Sequence, residues 1–427
     1  MKNSRTKTHN LYKILFLLIV FLGVGYAFLE ANLNINGDVT VTQPEFNTYV
    51  QSVSKTTGST SGTPTIIGAD KKEVDFTTSL TNDVNSFFEE TTIVINKGSK
   101  KSYFVDIDIK VFDSSGNEVT LSAPYEYTLI DGEGKNVQLG HRLIVNSTDE
   151  YKFRFKYING TDMSTVTDYP EYTFKIIYNY TKESFEDDSW DVIKTKINSN
   201  ISNYPIGATK TIELDLDDDN IMSEYELRVV NNTNPTECTG NSYSQGTCGF
   251  VVEFDEIVSL HLFNPFVPGT SVNGNGTKGG WEYSDIRNYL NDDNSSSSFY
   301  SHLPSDLKDV IKDTVIITGH GNEDASNFVT TDKVYLLNPM EVYNSNPGNY
   351  DTAALYTRQL DYYRRMKTSI TNYGPAIKKY NGENSGWWLV SPMYTSNSIV
   401  QLVGVGGNLG NNYSSSDNGV SPVFRVG

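Results

Sequence analysis

Apolar and polar positions alternate with period two through much of the first half of the chain. Val105, Ile107, Ile109 and Val111 alternate with Asp106, Asp108 and Lys110. Phe153, Phe155 and Tyr157 alternate with Lys152, Arg154 and Lys156, and Phe174, Ile176 and Tyr178 with Lys175, Ile177 and Asn179. Successive side chains of a strand point to opposite faces, so this pattern predicts strands with one dry and one wet face. Turn signals divide them at Ser114-Ser115-Gly116-Asn117, Asp131-Gly132-Glu133-Gly134 and Asn159-Gly160. With no helical stretch among them, residues 32–182 are expected to form an all-β sandwich, the Ser/Thr/Gly tract from Ser52 to Thr65 being a loop.

The period changes near residue 184. Trp190, Ile193 and Ile197 are spaced for one face of a helix, with Ser189 placed to cap it. Strands are expected at Thr211–Leu216, Tyr225–Val230 and Phe250–Phe254, then a Gly/Asn-rich loop from Thr270 to Gly280. Helices follow at Ser284–Leu290 and after Pro304, the latter with Ser305 as cap and Leu307, Val310 and Ile311 as its apolar face. A further helix carries Tyr356, Leu360 and Tyr363. The chain ends in strands at Trp387–Val390, Ile399–Val405 and Val423–Val426. Residues 183–427 are therefore expected to be an α+β module.

Residues 1–31 read as a signal peptide or a membrane anchor. Lys2, Arg5, Lys7 and Lys13 precede the apolar run from Ile14 to Leu22, and the small residues Gly25 and Ala27 suit cleavage after Ala27, with Ala31 a second site. Ile14 to Leu29 falls slightly short of the roughly 20 residues that span a bilayer comfortably. Either fate places the remainder outside, since the basic flank stays inside. The expected location is extracytoplasmic, with membrane contact only through this segment if uncleaved.

The 427 residues carry a formal charge of −18, which repels phosphate backbones and argues against nucleic-acid partners. Cys238 and Cys248, the two cysteines, flank a Gly/Ser/Asn-rich turn. They read as a loop-closing disulfide, which fits an oxidising compartment. Neither CxxC spacing nor a nearby histidine supports a metal or redox pair.

Several blocks in the second half resemble a bacterial domain of unknown function found in surface proteins of gut Gram-positive bacteria. They are Trp387-Trp388-Leu389-Val390-Ser391-Pro392 and Gly419-Val420-Ser421-Pro422-Val423-Phe424-Arg425. Upstream stand Gly279-Gly280-Trp281 with Ser284, Arg287, Tyr289, Leu290 and Asn291, then Leu303-Pro304-Ser305-Asp306-Leu307-Lys308, Thr318-Gly319-His320-Gly321 and Asp332-Lys333-Val334-Tyr335-Leu336-Leu337. The resemblance covers residues 186–427 and includes the Cys238/Cys248 loop. The order of blocks also looks like a C-type-lectin-like fold of the formylglycine-generating-enzyme kind. Those enzymes act through an active-site cysteine pair, absent here, so their activity is not carried over. More loosely, Leu33-Asn34-Ile35-Asn36-Gly37 and Val74-Asp75-Phe76 make residues 11–180 similar to camelysin and biofilm-fibre-type secreted β-sandwich proteins, which implies surface or matrix residence.

Candidate chemistry is sparse. The histidines are His9, His141, His261, His302 and His320, and neither HExxH nor GxSxG is present. His320, in Gly-His-Gly, reads as a turn donor rather than a base. Ser391, before Pro392, reads as a turn residue. Asp215, Asp217, Asp219, Ser223 and Glu226 fall at EF-hand-like positions for calcium, yet their flanks read as strands, so a solvated acidic hairpin tip is expected instead. Trp281, Trp387 and Trp388 offer a sugar-stacking platform or a core, and the apolar strand around the pair favours the core. The loop from Gly404 to Asn418, with Tyr413 at its centre, is the better exposed candidate. Arg287 and Arg425 read as structural. The expected function is a non-catalytic surface protein, binding or adhering to a glycan or protein through a module carried on a β-sandwich stalk, with no cofactor. A structural envelope or matrix component that self-associates through the sandwich is the alternative, and an enzyme the remotest reading.

Overall fold

The computed structural model describes residues 44–240, 242–265, 276–345 and 350–427. The leader, His9 and the Leu33–Gly37 motif lie outside the described residues, as does most of the expected Thr270–Gly280 loop. Glu45–Gly427 form one compact unit built around two hydrophobic cores.

The first core lies between two antiparallel sheets. Their strands are β1 (Thr48–Gly58), β2 (Thr65–Ile67), β3 (Glu73–Thr78), β4 (Phe87–Asn96), β5 (Ser102–Phe112), β6 (Tyr125–Asp131), β7 (Arg142–Leu143), β8 (Thr148–Tyr157) and β9 (Tyr172–Thr181). One sheet has the order β1-β4-β8-β6, the other β2-β3-β9-β5-β7. Phe88, Phe153 and Phe155 from the first sheet meet Phe76, Phe174 and Ile176 from the second, so the arrangement is sandwich-like. The expected Ser52–Thr65 loop is corrected: Ser52 to Gly58 continue β1, paired to β4. Most of this stretch is solvent-facing on an edge strand, so its Ser/Thr content reflects exposure and not irregular backbone. In β5 a bulge between Phe104 and Asp106 breaks strict alternation and turns both Phe104 and Ile107 toward the core.

The second core holds α1 (Trp190–Ser199), β10 (Thr209–Leu214), β11 (Ser223–Thr233), β12 (Gly249–Phe254), β13 (Ser259–Leu262), α2 (Asp285–Asn291) and α3 (Ser305–Lys308). Then come β14 (Thr314–Thr318), β15 (Phe328–Asp332), β16 (Val334–Tyr335), α4 (Pro339–Tyr343), α5 (Asp361–Arg365), β17 (Lys378–Tyr380) and β18 (Glu383–Ser385). The chain closes with β19 (Trp387–Pro392), β20 (Ile399–Val403), β21 (Leu409–Tyr413), β22 (Asp417–Val420) and β23 (Val423–Val426). Helices and strands mix in two five-stranded sheets, β10-β11-β12-β23-β16 and β13-β22-β19-β20-β21, with the short pairs β14-β15 and β17-β18. The final strand lies inside the first sheet, Phe250 opposite Val426 and Val252 opposite Phe424. The end of the chain thus completes a sheet begun by residues 209–254.

Local signals hold where a helix is amphipathic and capped. Ser189 accepts from the Val192 amide, and α1 buries Trp190, Ile193 and Ile197. Ser284 accepts from the Arg287 amide at the start of α2. Two expectations are corrected. Ser305 is not a cap: the N-cap is Pro304, and α3 lasts one turn, so Val310 and Ile311 are buried beyond its end. Tyr356, Leu360 and Tyr363 do not share a helix. A 3-10 turn at Ala354–Tyr356 precedes extended backbone, and α5 begins after Leu360. Leu360, the N-cap of α5, and Tyr363 within it are buried, while Tyr356 on the preceding turn is exposed.

The two cores meet through close backbone contact. Gly140 and Gly207, both at positive φ, approach so closely that a Cβ on Gly140 would lie 2.2 Å from the Gly207 carbonyl carbon. Leu139 packs against both cores, and the Tyr103 hydroxyl hydrogen-bonds Ser184 at 2.8 Å.

Candidate functional site

The sheet β13-β22-β19-β20-β21 is anchored by fully buried tryptophans. Trp387 donates through Nε1 to the Ala376 carbonyl at 3.0 Å, and Trp388 to the His261 carbonyl at 2.8 Å. Trp281 donates to Asp332 Oδ2 at 2.9 Å. All three have zero exposure, so none offers a ring to a sugar. Asp332 also accepts from Arg287 Nε at 2.7 Å, which makes Arg287 a structural partner. Arg425 Nη1 donates to Gln245 Oε1 at 3.2 Å. Ser391, fully buried, takes the Gly319 amide at 3.4 Å and an Asn338 amide hydrogen at 3.2 Å. The most distinctive motif of the sequence therefore builds the platform and not the ligand surface.

One end of this sheet gathers loops. The β19–β20 turn (393–398) and the β21–β22 turn (414–416) lie there, beside the chain leaving β13. Backbone bonds lace them together: Asn264 N–H to Ser414 O, Ser414 N–H to Ser398 O, Thr277 N–H to Asn397 O, Asn322 N–H to Ser396 O and Tyr394 N–H to Tyr350 O, all between 2.8 and 3.2 Å. Three tyrosines project from this end, Tyr350 at 39 %, Tyr394 at 37 % and Tyr413 at 48 % exposure. The two turns are rich in hydroxyl and amide residues, Thr395 to Ser398 and Ser414 to Ser416. Rigid backbone, half-exposed aromatic rings and amide or hydroxyl groups suit a hydroxyl-rich or peptide ligand, because ring faces stack while the polar groups donate and accept.

The single loop expected from Gly404 to Asn418 is corrected. Residues 409–413 and 417–420 are strands, and the Gly404–Asn408 turn lies at the opposite end of the sheet from Tyr413. Its Gly and Asn content serves two tight turns, with Gly407 at positive φ against the Tyr373 carbonyl. Tyr350 and Tyr394 escaped the sequence reading because nothing local distinguishes them; pairing across the fold brings them together.

The acidic set divides as its flanks suggest. Asp215, Asp217 and Asp219 bring carboxylate oxygens within 4.8 Å of one another at the β10–β11 tip. Asp215 accepts the Asn220 amide at 2.9 Å and Asp219 the Ile221 amide at 2.7 Å. Glu226 lies within β11 opposite Thr211, and Ser223 opposite Leu214, so the five residues do not form one loop. His320 Nδ1 lies 2.7 Å from the Gly321 carbonyl, and its amide donates to Thr352 Oγ1, a turn role. His302 Nδ1 lies 3.9 Å from Asp218, and His261 stacks on Tyr289.

Cys238 and Cys248 are joined in a disulfide that closes the loop between β11 and β12. Beneath it, Arg358 reaches Asn231, Thr233 and the Thr247 carbonyl. The buried acids are engaged. Glu253 is held by Arg228, Lys378 and Tyr363, and desolvation lowers the pKa of Lys378. Burial pushes Glu341 up to about 7 although the Asn338 amide and Thr357 bond it. In the sandwich, His141 Nε2 lies 2.6 Å from Asp149. Burial opposes the charged ring, but Asp149 outweighs it and the pKa is raised.

No curated protein and no solved structure matches the chain. The Trp387–Pro392 and Gly419–Arg425 blocks fall inside the region a family model covers, whereas residues 186–260, with the disulfide loop, fall outside it. Residues 261–427 match the family described as Domain of unknown function (DUF6273).

Proposed function

We propose that this is an exported, non-catalytic bacterial surface protein that binds a glycan or protein partner through the loop end of its C-terminal sheet. The observation that carries the reading is the trio Tyr350, Tyr394 and Tyr413, half-exposed on loops fixed by backbone bonds and at the end of β21, over a platform whose tryptophans are buried. The basic leader with its apolar run, the acidic charge and the disulfide support a place outside the cytoplasm. The leader either is cleaved or tethers the protein. The C-type-lectin-like and camelysin-like resemblances fit the same setting as analogies of fold. The test is a glycan array and a surface-protein binding screen with Glu45–Gly427, wild type against Tyr394→Ala/Tyr413→Ala. The expected outcome is a ligand whose affinity drops at least tenfold in the variant, with melting unchanged. Equal binding by both proteins would remove this surface from consideration.

Self-association through the sandwich is the second reading. It draws on β6, a seven-residue strand that ends its sheet among the described residues and whose outer side is bridged at Ile130 by Asn136. Sedimentation of Glu45–Gly427 over a hundredfold concentration range tests it, and a monomer throughout would sink it. A catalytic reading lacks comparable support, since Glu253, Glu341 and Asp351 are buried and engaged.

A further inference from the structure

The sandwich has an open flank. There β5 is paired by β7 only at Ser102 and Tyr103, and β6 ends the opposite sheet. Side chains that a closed sandwich would bury, among them Ile107, Ile109 and Leu129, stay partly exposed. Residues after β6 and the segment after α5 roof this flank incompletely, leaving a cleft of about 560 Å³. That volume is in the range of small-molecule sites, which favour domain junctions.

The lining is asymmetric. Its floor is aliphatic, from Ile107, Ile109, Leu129 and Val137 of the sandwich to Met366 of the other module. Its polar side carries both signs, Asp106 with Arg365 and Lys367. Arg365 is already engaged, its Nη1 donating to the Val105 carbonyl at 3.2 Å and lying 3.3 Å from Asp106. Lys367 is exposed on the rim. Its backbone is held at φ 54°, with the amide donating to Arg364 and the carbonyl accepting from Asn372. A branched aliphatic floor gives water poor hydrogen bonding, so an apolar body that displaces the water is favoured. An ammonium on a side chain that leaves a fixed backbone position at the rim attracts an acid group there.

We propose that this cleft binds an amphiphilic carboxylate, a molecule of medium-chain fatty-acid size with its chain on the aliphatic floor and its carboxylate at Lys367. The site is separate from the tyrosine-bearing loop end and draws residues from both modules. Decanoate and decan-1-ol, titrated calorimetrically into Glu45–Gly427, test it. Decanoate binds in the micromolar range, and the alcohol at least fivefold more weakly. Lys367→Glu, an exposed position that leaves the fold intact, weakens decanoate at least tenfold without changing the alcohol. Ile109→Asp abolishes both, and Met366→Glu repeats that result should Ile109→Asp fail to fold. No decanoate binding up to millimolar concentration, or an affinity that Lys367→Glu leaves unchanged, overturns the proposal.

Discussion

Glu90 points from β4 into the sandwich core, where Thr92 Oγ1 donates to its Oε2 at 2.8 Å. Burial pushes its pKa up to about 8. A carboxyl raised in the folded state holds a proton that the unfolded chain releases near its ordinary value of 4.5. Folding is therefore favoured most at low pH, and the sandwich loses stability as pH rises from about 4.5 to about 8. Glu341, raised to about 7, has the same sign in the second core. Tryptophan separates the two, since Trp190, Trp281, Trp387 and Trp388 all belong to the second core. Urea unfolding followed by circular dichroism should show Glu90→Gln flattening the pH dependence of the sandwich transition between about pH 4.5 and about 8, while tryptophan fluorescence keeps the wild-type profile. A sandwich midpoint equally pH-dependent in the variant would contradict this. The sequence analysis does not single out Glu90, because the cost of burying an acid depends on the opposite sheet.

Elements were legible in proportion to their length. The ten-residue helix α1 declares itself through Trp190, Ile193, Ile197 and the Ser189 cap. α4 did not, although Asn338-Pro339-Met340-Glu341 carries the needed signals: a capping box and a proline in the first turn. Its five residues are too few for periodicity to register. Asn338→Ala removes the cap and a bond to Asp351, and is expected to cost about 1–2 kcal/mol in denaturant unfolding followed by fluorescence. Wild-type stability would show that α4 is held by packing alone. The β10–β11 hairpin resolves the calcium-like spacing for a similar reason. Pairing of Thr211 with Glu226 fixes the two strands in register and draws Glu226 away from the tip.

At the scale of the molecule, the family match and the folded unit do not share boundaries. The matched residues 261–427 include β23, whose neighbours in the sheet are β12, outside the match, and β16. The disulfide closes the loop that leads into β12. Replacing Cys238 and Cys248 by serine removes a loop constraint worth roughly 2–3 kcal/mol. The melting temperature of the second core should fall, and added reductant should lower the wild type to the same value. A reductant effect without an effect of the double substitution would refute the assignment. Gly140 and Gly207 show how far tertiary contact exceeds local preference, since Gly140 is required by the Gly207–Ala208 backbone and Gly207 by Leu139.

Period-two alternation, capped amphipathic spacing and paired cysteines were enough by themselves to determine a β-rich first half, a mixed second half and a closed loop. Those properties are local, set by which face of a strand or helix must be dry. The tertiary structure alone decided that the Gly404–Asn418 stretch divides between two ends of a sheet and that Tyr350, Tyr394 and Tyr413 come together at one end of it. It also decided that the sandwich flank stays open beside Lys367. Each of these depends on strand order and on contacts between segments far apart in the chain, which spacing along one segment does not encode.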